Sequence, residues 1–183
     1  AAGIALVAAL VHAGTLGGGY PLDDEIQVEN NVFIRSLAGA LGIFGRETWP
    51  GYVYRPLPTF TYALTYAIAG DSPWLYHLTS ILLHAAASVL VWLCVRRVLD
   101  DDVAALAGLL FAVHPAHVEA IASIANRTEL LVAVCGLGGL LVVLPSSDGR
   151  RWSVAETGAR LVAGALLFLG ALLSKESAAT LFL

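Results

Sequence analysis

The stretch from Trp74 to Val95, "WLYHLTSILLHAAASVLVWLCV", runs for 22 residues without one Asp, Glu, Lys or Arg. A bilayer core of roughly 30 Å is crossed by about 20 helical residues, so this run predicts a full membrane-spanning helix. Four shorter apolar runs accompany it: Ala1 to Leu16, Leu99 to Val113, Leu130 to Leu144 and Leu161 to Leu173. Together they predict an all-α, polytopic helical membrane protein of about five spans, a single partial transmembrane domain over residues 1–183.

Composition agrees with that class and excludes others. Charged residues make up 13% and apolar types 58% of the chain, with mean hydropathy +0.77, against roughly 25% charged in an average soluble domain. Ten scattered basic residues and a net charge of −4 offer no electrostatic footprint for nucleic acid. The chain lacks methionine, opens in "AAGIALVAALV" and stops in "AATLFL", so it reads as a fragment. Cys94 and Cys135 lie in apolar runs without metal or redox spacing and read as packing residues.

Segment Leu57 to Gly70, "LPTFTYALTYAIAG", is ambiguous, and the arginines decide how to place it. If it lies in the interface, Arg96, Arg97, Arg150, Arg151 and Arg160 all fall on the cytoplasmic side, as the positive-inside rule favours. Residues 17–73 then form a first extracytoplasmic loop and 114–129 a second extracytoplasmic connection. The first loop is read as two interfacial helices, one in "VFIRSLAGALGIF", joined by the Gly/Pro-rich "RETWPGYVYRPLP".

On this topology three polar sets reach one membrane face: "LDDE", "HPAHVEAIASIANRTE" and "LLSKESA". Ionisable groups at membrane depth cost about 2.5–3.5 kcal/mol each on insertion scales, which makes them functional candidates. Asp23 and Asp24 could accept a proton or hold a divalent cation, or cap a helix. Pro115 suits the first position of a helix with His114 near its N-cap, and that helix is expected to run toward Arg127. Its spacing puts Glu119, Ser123, Asn126 and Arg127 on one side, with His117 near the start. The plainer reading is a Glu119–Arg127 ion pair. His117 and Glu119 are metal-ligand candidates, although the pattern is neither HExxH nor HxxEH. Arg55 in "YRPL" could grip a phosphate or snorkel to headgroups, and Lys175 beside Glu176 is similar.

Taken in order, "LDDEIQVENN", "YRPL", "YHLTSILLHAAASVLV", "FAVHPAHVEAIASIANRTELL" and "LLSKESA" resemble the N-terminal membrane region of the transmembrane and tetratricopeptide-repeat O-mannosyltransferases and their bacterial relatives. The resemblance covers nearly the whole chain; the tetratricopeptide repeats of that family have no counterpart in it. It implies a GT-C-like core that transfers a sugar, with mannose the candidate, from a polyprenyl-phosphate donor to an acceptor hydroxyl on a protein or glycan. One of Asp23 and Asp24 would be the general base, and Asp24, nearer the loop interior, is the first choice. Arg55, His114, His117, Glu119, Arg127, Lys175 and Glu176 would bind substrate, with Arg55, Arg127 and Lys175 meeting the leaving phosphate. Metal dependence stays open, with a divalent cation as the cofactor to test. The site would lie on the extracytoplasmic or lumenal face of a bacterial inner membrane or the endoplasmic reticulum. The competing readings are an ion-coupled transporter, since His, Glu and Arg also form proton relays, and a non-catalytic membrane scaffold.

Overall fold

A computed structural model describes residues 1–21, 23–45, 54–145 and 150–182. Among them all regular structure is helical: α1 Ala2–His12, α2 Leu37–Gly42, α3 Pro56–Ala69, α4 Pro73–Val95, α5 Asp101–Val113, α6 Val118–Ala122, α7 Arg127–Val143 and α8 Val154–Leu172. The chain is therefore an all-α membrane fold. Two of these helices, α4 and α8, are each long and apolar enough to cross a bilayer. Helix α5 and the 115–122 segment pass the same test only as a pair bent by 47°, and α1 is a shorter apolar helix extended by a turn to Gly17.

Local chemistry sets the boundaries. Asp100 caps α5 by accepting from the backbone N–H of Val103 at 2.9 Å, and Asp101 and Asp102 follow in the first turn, where carboxylates meet the positive end of the helix dipole. Helix α8 opens on a reciprocal box between Ser153 and Glu156. Pro115 has no N–H to donate to the preceding turn, so α5 stops at Val113 and leaves its last carbonyls without helical partners. One is recovered from elsewhere: the His84 imidazole Nε2 bonds the Ala112 carbonyl at 3.1 Å.

Helix α4 is central and packs against α1, α5 and α7, while α8 packs mainly on α7. One core joins Ile4, Ala8, Ala85 and Ala112, and a second joins Ile81, Ile121 and Leu130. The α7–α8 contact is close because of Gly164: a Cβ there would stand 2.9 Å from Cγ1 of Val143. Small residues at such a crossing let helix backbones approach where lipid supplies no hydrophobic drive. The outer side of α8 exposes Leu161, Val162, Leu166 and Leu169. At one end of the bundle Arg97 donates to the Pro145 carbonyl at 3.3 Å, which ties the α4–α5 corner to the end of α7.

At the other end, the first loop folds over α3 and the start of α4. Its core holds Val28, Ile34, Ile43, Tyr62, Ala63, Tyr76 and Ile124. The expected continuous helix through 32–44 is corrected here. Val32–Arg35 is a 3-10 turn and Ser36 is extended (φ −146°, ψ 147°), and Ser36 Oγ accepts from Gly39 N–H at 3.0 Å. The break lets Arg35 turn aside to pair with Asp71, bond the Glu29 carbonyl and lie 4.6 Å over the Tyr66 ring. Burial, aided by the Asp71 carboxylate, pushes the Tyr20 phenol up to about 12, so it stays protonated and donates to the Asp71 carbonyl at 2.8 Å. Helix α3 covers 14 residues, fewer than a bilayer core requires. Most of the Gly/Pro-rich connection, residues 46–53, lies outside the described residues.

Candidate active site

Asp23 and Asp24 open the short helical segment that continues as a π-helical turn, Glu25–Glu29. The two carboxylates have separate fates. Asp24 is 0% exposed. Its Oδ1 accepts from Ser123 Oγ at 2.9 Å and from the Ala125 N–H at 2.6 Å, and its Oδ2 accepts from the Ile124 N–H at 2.7 Å. It makes no local capping bond. It is a clamp between loops, reaching residues about a hundred positions away in the chain. Asp23 is exposed.

The clamp explains a departure from the expected helix. Instead of running from Pro115 to Arg127, the chain makes a 3-10 turn, Pro115–His117, then α6, which ends at Ala122. Ser123 turns extended (φ −90°, ψ 123°). The N–H groups of Ile124 and Ala125 then go to Asp24, and their carbonyls accept from Tyr62 Oη at 2.9 and 3.1 Å. His114 is the N-cap, accepting from Ala116 N–H at 3.2 Å.

The break also separates Glu119 from Arg127 and removes their expected ion pair. Glu119 is exposed and meets Asn126 Nδ2 at 3.4 Å. Arg127 is 0% exposed. It donates to Thr61 Oγ1 at 3.2 Å, Thr65 Oγ1 at 3.4 Å and the Tyr76 carbonyl at 2.9 Å, and lies 4.8 Å from the Tyr62 ring centroid. A guanidinium so enclosed cannot meet a lipid phosphate in this conformation.

Arg55 and Lys175 sit at the same end of the bundle. Arg55 forms a forked pair with Glu176, Nε to Oε2 at 3.1 Å and Nη2 to Oε1 at 2.6 Å. This pairing holds the Glu176 carboxyl below its usual range. Lys175 pairs with Glu129, and the Leu57 N–H donates to the Leu173 carbonyl at 3.2 Å. The three polar stretches, far apart in sequence, are therefore in contact in pairs.

His117 is half-buried, its ring 4.2 Å from Phe111 and 5.3 Å from His84; His84 in turn lies 4.9 Å from His12. Among the described residues no group of three or more His, Cys, Asp or Glu is arranged to hold a metal ion. A cleft of about 460 Å³ opens between Thr15, Gly18, Gly19, Tyr20, Pro21, His77 and Ala122. Its wall is shaped by the His77 Nε2 bond to the Gly19 carbonyl at 3.0 Å. Asp23 lies two positions after Pro21 and Ser123 one after Ala122, so the clamp borders the cleft through the backbone.

Thr61, Tyr62 and Thr65, which help build the Arg127 site, carried no separate sequence signal beyond the polar spacing of "TYALTY" in an otherwise apolar segment, and Tyr76 lies in the apolar run that follows. His12 and His84 are single histidines within apolar runs.

A family model described as dolichyl-phosphate-mannose-protein mannosyltransferase matches residues 50–183. The protein O-mannosyl-transferase Tmtc1 of Drosophila melanogaster is 32% identical over 100% of this chain and 22% of its own length. Tmtc2 of the same organism is 34% identical over 97% of this chain and 20% of its own length. Human TMTC2 is 31% identical over 81% of this chain and 19% of its own length. The chain thus spans about a fifth of the length of these relatives. No solved structure matches it. With the family model covering most of the chain and full-span identity above 30%, the chain belongs to the dolichyl-phosphate-mannose-protein mannosyltransferase family.

Proposed function

We propose that this region carries the donor and acid sites of a GT-C type membrane glycosyltransferase. It transfers a mannosyl group from a polyprenyl-phosphate donor to an acceptor hydroxyl on protein, at the extracytoplasmic or lumenal face. The observation that carries the reading is the split acid pair: an exposed Asp23 next to an Asp24 that is wholly spent on holding two loops together. A carboxylate that is 0% exposed and engaged by three donors has no open approach for an acceptor hydroxyl, so it is a poor candidate for the base. The base role accordingly moves from Asp24, the first choice from sequence, to Asp23.

In the reaction the Asp23 carboxylate takes the acceptor hydroxyl proton as that oxygen bonds the anomeric carbon. The bond from that carbon to the phosphate oxygen breaks, the polyprenyl phosphate leaves with the electron pair, and the configuration inverts. Charge grows on the phosphate, so fixed cations beside it lower the barrier. Arg55 and Lys175 fit that task. Both are only partly buried and already hold carboxylates, which a phosphate can replace on a guanidinium with the same forked geometry. The long lipid tail places the chemistry at the membrane edge.

The test is transfer by the full chain in detergent with a panel of polyprenyl-phosphate sugars. Arg55→Ala is expected to raise the donor KM about tenfold, the scale of one charge-assisted hydrogen bond, and to change stability by less than about 1 kcal/mol because the pair is exposed. An unchanged donor KM removes Arg55 from the site. For the sidedness, Glu119→Cys and Asp101→Cys sit at opposite ends of the α5–α6 pair and are exposed. A membrane-impermeant thiol reagent is expected to label Glu119→Cys in intact cells and Asp101→Cys only after permeabilisation. The reverse pattern would invert the topology.

A further inference from the structure

We infer that Arg127 is the buried counter-charge of Asp24 and a positioning residue for the acid pair, acting across the Ser123–Ala125 turn of backbone between them. Both charges are fully buried, and each is held by neutral groups. Asp24 has a hydroxyl and two N–H groups; Arg127 has two threonine hydroxyls, a carbonyl and two tyrosine rings. Among the described residues no carboxylate stands within ion-pair distance of Arg127.

The peptide group between Ile124 and Ala125 shows how the two are joined. Its N–H points to Asp24 at 2.6 Å, and its carbonyl accepts from Tyr62 Oη at 2.9 Å. Tyr62 in turn lies under the Arg127 guanidinium. The positive end of this dipole faces the anion and the negative end faces the cation's side, so each charge stabilises the orientation that the other requires. In a medium of low dielectric an isolated buried charge is costly, and the remaining partner of a broken pair carries that cost. Arg127 therefore holds the turn that holds Asp24, and Asp24 is the chain neighbour of the proposed base. This role replaces the phosphate contact that the sequence suggested for Arg127, and its catalytic consequence rests on the glycosyl-transfer reading above.

The experiment is a charge-neutralising double-mutant cycle on the full chain in detergent, with Arg127→Met, Asp24→Asn, the double variant and Arg127→Lys. Thermal unfolding is measured for each, together with kcat and donor KM using polyprenyl-phosphate mannose. Arg127→Met is expected to lower Tm by about 5 °C or more and kcat about tenfold or more, with donor KM unchanged, since small displacements of a catalytic group act on turnover. The double variant should lose clearly less Tm than the sum of the two single losses, and Arg127→Lys should recover most of the Tm and kcat. Additive Tm losses overturn the pairing. A raised donor KM with unchanged kcat overturns the positioning role in favour of phosphate binding. Absence of transfer by the wild type would count against the glycosyl-transfer reading, and the Tm cycle would still decide the charge pair. If Arg127→Met fails to accumulate, Arg127→Lys decides: tenfold loss of kcat at normal amounts of folded protein overturns the inference.

Discussion

Asp23→Asn is expected to lower sugar transfer by about a hundredfold or more, the lower range for loss of a positioned general base, while leaving thermal stability unchanged. Its neighbour should behave in the opposite way. Asp24→Ala strands the Ser123 hydroxyl and the N–H groups of Ile124 and Ala125 in a site from which Asp24 itself is shielded completely. An unsatisfied buried donor costs about 1–3 kcal/mol, so a loss of roughly 2–6 kcal/mol follows if two of the three stay unpaired. Measuring transfer rate and Tm side by side for both variants separates a base from a clamp. If Asp24→Ala keeps its stability but loses transfer, and Asp23→Asn retains transfer, the two assignments are exchanged.

Gly108→Val is expected to be the most damaging single change in the bundle itself. A Cβ at Gly108 would stand 2.9 Å from the Trp92 Cβ, 3.0 Å from the Ile4 Cδ1 and 3.3 Å from the Ser88 carbonyl oxygen. Two of these atoms belong to or adjoin the α4 backbone and cannot swing aside. The substitution must push α5 away from α4 and α1, at a cost of about 3 kcal/mol, the upper part of the usual range for overpacking. It would also strain the His84 bond to Ala112, one turn further along α5. Gly3→Ala is the control, because nothing lies within 4 Å of a Cβ there and alanine is favoured over glycine in a helix by about 1 kcal/mol. Thermal unfolding in detergent reads both. Equal Tm values for Gly108→Val and the wild type would refute the close α1–α4–α5 contact.

The class of the protein was legible from apolar runs alone, because a segment such as Trp74–Val95 has one low-energy state in a bilayer, a helix with its backbone bonds closed internally. The stop at Val113 was legible as well, since Pro115 removes a donor whatever surrounds it. The grouping of "LDDE", "HPAHVEAIASIANRTE" and "LLSKESA" at one end was expected from the side on which the arginines fall, which placed the Leu57 to Gly70 segment in the interface. What the tertiary structure alone decided is which ionisable group is buried and which is presented. Asp23 and Asp24 have the same chemistry and adjacent positions, yet successive residues on a helix point about 100° apart, and only one of those directions met the N–H groups of Ile124 and Ala125. The helix expected through Ser123 to Arg127 gave way for the same reason. Local propensity is worth tenths of a kcal/mol per residue, whereas a buried carboxylate needing donors is worth several, so the long-range bond broke the helix and turned Arg127 into the interior.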